Sequence, residues 1–111
     1  MELIFMDKLE HMFELQEEFQ TSLGLDRKTQ AYKNMNFMAM SDELHEFLRE
    51  TPWKEWKKQQ SLNTDRAKEE LVDMFHFFMN LCLSVEMDAD ELYIRYKAKR
   101  EENYDRQKRG Y

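Results

Sequence analysis

Apolar residues recur along this chain at spacings of three and four, and four segments hold that rhythm long enough to form amphipathic helices. The first sets Phe5, Leu9, Met12, Phe13, Gln16, Phe19 and Leu23 on one face and runs into Gly24, which can adopt the left-handed conformation that follows a helix. It is predicted over residues 2–23. The second, about 29–50, has Ala31, Met35, Met38, Leu44, Phe47 and Leu48 as its apolar positions and is stopped by Thr51-Pro52. Trp53 and Trp56 then fall on the connector. The third, about 65–86, directs Leu71, Met74, Phe75, Phe78, Leu81, Cys82 and Val85 toward a core and is the most apolar of the four. The fourth opens with Asp88-Ala89-Asp90-Glu91, the spacing of a capping box with Asp in the place of Ser or Thr, and extends to about 109.

Two Gly and one Pro leave few of the turn-formers that a sheet of hairpins needs. An all-α fold follows, with 1–111 as a single domain. Short connectors favour antiparallel neighbours, so the expected architecture is a four-helix bundle or half of a larger one. Nine Met, eight Phe, five Tyr and two Trp are more than so small a bundle encloses alone, which predicts a homodimer.

Composition narrows the function classes. A net charge of −6 disfavours binding to a nucleic-acid polymer, which is driven by Lys and Arg neutralising phosphates. No apolar run approaches the roughly 18 residues of a membrane span. A single cysteine, Cys82, and the lack of a basic-then-apolar opening segment point to a cytoplasmic protein. The charge is uneven, however: between Arg95 and Arg109 seven residues are basic and three acidic, while the stretch before Leu25 is acidic.

Candidate chemistry lies in the second and third helices. Glu43 and Glu46 are three apart, hence on one helical face, and Glu50 extends their stripe; Glu70 and Asp73 repeat the spacing. Ordinary solvated acids explain most such pairs. Here, though, Glu70 and Asp73 sit in the most apolar helix, just before Met74-Phe75-His76-Phe77-Phe78. Facing pairs would gather four like charges that a cation must offset, and hard carboxylate oxygens suit Mg²⁺ or Mn²⁺. His76 lies off the Asp73 face and is expected to pack or hydrogen-bond rather than to ligate.

The fourth helix carries Tyr96, Lys99, Asn103 and Arg106 in one line. Such a line is either a solvated face or a set of groups for phosphate and sugar oxygens, and the spacing alone does not choose.

Together these motifs resemble the dimeric, all-α dUTPase family of phages, some bacteria and trypanosomatids, within the wider MazG-like superfamily of nucleoside triphosphate pyrophosphatases. The resemblance rests on Glu43-Leu44-His45-Glu46-Phe47-Leu48, on Trp53-Lys54-Glu55-Trp56-Lys57, and on Glu70-Leu71-Val72-Asp73-Met74-Phe75-His76-Phe77. It closes on Lys99, Asn103, Arg106-Gln107 and Gly110-Tyr111. It implies that Glu43, Glu46, Glu70 and Asp73 hold Mg²⁺, and that Lys99, Asn103 and Arg106 bind phosphates and sugar. Tyr96 lies against the deoxyribose in this reading, Gln16 and Gln20 read uracil with Phe19 between them, and Trp53 or Trp56 covers the base.

The reaction so implied is hydrolysis of dUTP to dUMP and pyrophosphate. Glu46 is the expected general base, although nothing in the sequence separates it from Glu43, and Lys99 and Arg106 would stabilise charge developing on the phosphates. One competing reading keeps the metals but changes the base, as in a MazG-like enzyme acting on dCTP. Another is a non-enzymatic helical protein whose acidic face binds a basic partner.

Overall fold

The computed structural model describes residues 7–110, in four helices: α1 (Lys8–Ser22), α2 (Gln30–Arg49), α3 (Thr64–Ser84) and α4 (Ala89–Lys108). No strand occurs among the described residues. The expected all-α class with four helices is what is found, each boundary within a few residues except the start of α1. There Asp7 caps the helix, its side chain accepting from Glu10 N at 2.8 Å. Phe5 and Tyr111 lie outside the described residues.

Each start has a side-chain acceptor that satisfies an otherwise unpaired amide. Thr29, Asn63 and Asp88 do this for Tyr32, Arg66 and Glu91. At Asp88 half of the expected capping box forms, the Asp88 carboxylate accepting from Glu91 N at 2.8 Å, while the Glu91 side chain turns to Arg95 at 2.7 Å. Gly24 takes φ +70, as expected after α1. The connector after α2 is closed by Asn63 N donating to Glu50 O at 2.9 Å, and Gln60 ties down the backbone of Lys54 and Lys57.

Helices α2 and α3 form the main packed pair, α1 lies across α3, and α4 packs through its first turn against α1 and the end of α3. A small apolar core of Phe13, Met79, Cys82 and Ala89, with Leu9, Phe75 and Phe78 against it, joins α1, α3 and the first turn of α4. Beyond Leu92 nearly all of α4 is exposed. The radius of gyration, 17.8 Å, exceeds the about 13 Å of a compact domain of similar length. No described helix is long and apolar enough to cross a membrane.

The apolar stripe expected to face inward on α2 does not do so. Met35, Met38, Leu44 and Leu48 are exposed, Met38 by 63%, as are Leu71 of α3, Met12 and Phe19 of α1, and Leu23 and Val85 just past the ends of those helices. The reason is that α2 turns a polar stripe toward α3: Tyr32 and Asn36 are buried, and Glu43, Glu46 and the half-buried Phe47 follow two to three turns on. The carboxylates thereby occupy the seam that sequence patterning alone assigns to methionine and leucine.

Candidate metal centre and base cleft

Antiparallel packing of α2 and α3 brings the two acidic motifs together. One carboxylate oxygen each from Glu43, Glu46 and Glu70 lies within 4.8 Å of the others, and all three residues are half-buried. Asp73, more exposed, stands one turn along and acts on Glu43 through its charge. Glu43 Oε2 and Glu70 Oε2 are buried without a hydrogen-bond partner among the described residues. Glu43 is pushed up to about 8, first by hydrogen bonding of its protonated form to Glu70, then by burial and by Glu46, with Asp73 adding repulsion. The two observations describe one situation. Two ionised carboxylates in contact have no donor between them, and only a proton or a cation relieves them. A set of hard oxygens with two unsatisfied members fits a divalent ion such as Mg²⁺.

A cleft of about 470 Å³ adjoins the carboxylates. Glu43 and Asp73 line one end, Gln16, Gln20, Asn36 and Asn80 the other, and Phe19, Leu23, Leu25 and Phe77 contribute apolar walls. The acidic centre and the expected base-reading glutamines therefore share one cavity. His76 is exposed at the rim between this cleft and an apolar groove of α1 and α3, rather than packed.

The amides in the cleft are tied to one another. Gln16 Nε2 donates to Asn80 Oδ1 at 2.7 Å, Asn80 Nδ2 donates to Asn36 Oδ1 at 2.8 Å, and Asn36 Nδ2 donates to the Tyr32 carbonyl at 2.9 Å. The Tyr32 hydroxyl donates to Gln20 Oε1 at 2.7 Å. Burial raises the Tyr32 phenol above its ordinary value, so it remains a donor at neutral pH. Sequence reasoning missed Tyr32, Asn36 and Asn80. The available signal was three polar residues at positions that α2 and α3 turn to each other, two of them Asn in helix interiors, where that residue is disfavoured unless it has a local purpose.

Other expected site residues lie elsewhere on the chain. Tyr96, Lys99 and Asn103 line a surface hollow on α4 and none of them lines the cleft, because α4 packs through its first turn and is largely exposed beyond Leu92. Lys99 and Arg106 both pair with Glu102, whose carboxyl is lowered first by the hydrogen bond from Lys99 and then by the charge of Arg106. Trp53 and Trp56 stack edge to face at 5.7 Å on the connector, Trp56 being 73% exposed.

A family model described as dUTPase matches residues 8–91, which include both acidic motifs and every residue of the amide network. The chain belongs to the dUTPase family. The match ends before the Lys99-Asn103-Arg106 stripe. A dCTP pyrophosphatase of Enterobacteria phage LZ5 is 41% identical over 71 residues, covering 53% of this chain and 41% of that protein. The dCTP pyrophosphatase of Enterobacteria phage T4 is 35% identical over 71 residues, covering 53% and 42%. The chain thus spans about two fifths of the length of these curated relatives. No solved structure matches it.

Proposed function

We propose that this dUTPase-family chain hydrolyses dUTP to dUMP and pyrophosphate with Mg²⁺. The observation that carries the reading is the meeting of three half-buried carboxylates, two with unpartnered oxygens, at one end of a cleft whose other end is floored by amides. Glu43, Glu46 and Glu70, with Asp73 beside them, would hold the ion. Bound there, Mg²⁺ supplies positive charge against the triphosphate and acidity for the attacking water. Glu46 accepts the proton from that water, leaving Glu43 and Glu70 as the pair pressed closest together. The leaving group is pyrophosphate, and Phe19 and Phe77 keep bulk water from the base end of the cleft.

Lys99, Asn103 and Arg106 are assigned to phosphates and sugar. Since α4 packs away from its own cleft, a second copy is the natural source of these groups, and a homodimer is part of the proposal. The apolar residues left open on α1, α2 and α3 are what such an interface would cover.

A second reading has specific support. Both phage relatives are named dCTP pyrophosphatases, and cytosine also presents an N–H next to an acceptor. Turnover of dUTP, dCTP, dTTP and UTP in parallel tests the choice. The order expected is dUTP, then dCTP, with dTTP poor because its 5-methyl meets the apolar wall. Equal kcat/KM for dUTP and dTTP sinks the uracil pocket, and a clear lead for dCTP moves the chain to the second reading.

A further inference from the structure

Resting on the reading of the cleft as a pyrimidine pocket, we propose that Asn36 and Asn80 are positioning residues for base recognition, holding Gln16 so that its Oε1 is a fixed acceptor for the base.

The direction of the network decides this. Its root is the Tyr32 backbone carbonyl, which accepts and never donates. Asn36 must therefore offer it Nδ2, at 2.9 Å, and so turns Oδ1 toward Asn80. Asn80 answers with Nδ2 and turns its own Oδ1 to Gln16, which must donate with Nε2. What Gln16 retains for a ligand is Oε1 and the second N–H of Nε2, and neither can trade places with the other. All three amides are buried, Asn36 to 2% exposure, so leaving any one of them unpaired is costly. Each link forbids the half-turn that an isolated amide makes freely.

That restriction has a chemical consequence. An amide free to flip serves a ring N–H with its oxygen or a ring lone pair with its nitrogen, and so tells uracil from cytosine poorly. A locked oxygen takes only an N–H. With the triphosphate held at the Glu43 and Asp73 end of the same cleft, the ring cannot slide by one position to present a different edge. Uracil N3–H is then matched, and the N3 lone pair of cytosine opposes the oxygen. Tyr32 completes the frame from its side chain: its hydroxyl occupies Gln20 Oε1 and leaves Gln20 Nε2 as a donor for a ring carbonyl.

The test is the Asn36→Leu variant, which keeps the branching at Cγ while removing the amide that links the Tyr32 carbonyl to Asn80. Its helical content is checked by circular dichroism, and kcat/KM is measured for dUTP and dCTP. The ratio of the two is expected to fall about tenfold or more toward unity, since one polar edge is no longer fixed. In a Gln16→Ala background the same substitution should leave the ratio where it is, because the relay acts through Gln16. A loss by the same factor on both nucleotides, or a further change of ratio without Gln16, overturns the proposal. Should the variant not fold, wild-type protein and N3-methyl-dUTP give the answer. A drop of about hundredfold against dUTP is expected, and equal turnover overturns the fixed acceptor. Wild-type protein inactive on both nucleotides would sink the proposed function and this inference with it; an unchanged ratio in an active Asn36→Leu variant sinks the inference alone.

Discussion

Glu43 combines the two facts that make the acidic centre chemically unusual: an unpartnered buried oxygen and a carboxyl pushed up to about 8 by Glu70, burial and Glu46. Its native value lies above the ordinary 4.5, so between those limits the folded state holds a proton that the unfolded chain has given up. Stability contributed by this group is present below about pH 4.5 and is lost as pH rises toward 8. Metal-free protein should therefore melt at a lower temperature at pH 8.5 than its other groups alone would dictate, and Glu43→Gln should flatten that pH dependence. Scanning calorimetry in chelator across this range checks it, and Mg²⁺ should restore the loss most at the alkaline end. Glu70→Gln and Asp73→Asn carry the companion expectation. Each removes a negative charge and a ligand together, so hydrolysis should fall by about hundredfold or more while the helical fold stays intact or gains stability. Near-wild-type turnover in both would remove the metal assignment.

At the scale of the element, helix ends obey local rules and were legible in sequence. Thr29 and Asp88 accept from amides three residues on, and Gly24 and Thr51 donate to carbonyls three residues back, so a linear reading finds them. Asp88→Ala should cost about 1 kcal/mol in urea unfolding through loss of the cap, whereas Arg95→Ala should cost less than about 0.5 kcal/mol, its ion pair with Glu91 being exposed. Facing was less legible. The pattern of α2 assigns Met35, Met38 and Leu44 to the core, yet a helix that carries both a functional polar stripe and an apolar one can turn only one of them to its neighbour. Here the polar stripe of Tyr32, Asn36, Glu43 and Glu46 lies in the α2–α3 seam, and the carboxylate cluster was readable because E-x-x-E and E-x-x-D are local spacings. The amide relay was not, since Gln16, Asn36 and Asn80 meet only through tertiary packing.

For the whole molecule, the mismatch between a 17.8 Å radius of gyration and a chain this short, together with exposed Met12, Leu15, Phe19, Leu71 and Val72, predicts a second copy. Light scattering at micromolar concentration should give twice the 13.8 kDa chain mass, and a monodisperse monomer would refute the dimer. In the dimer we propose, the basic stripe on α4, none of which lines the acidic cleft of its own chain, would act across the interface. The measurement that bears most directly on the central claim is the release of pyrophosphate from dUTP by the wild-type protein, with Mg²⁺ and with the metal removed by chelator. Stoichiometric dUMP and pyrophosphate with Mg²⁺, and neither without it, is the expected result; release of single phosphates, or hydrolysis undiminished in chelator, would contradict it.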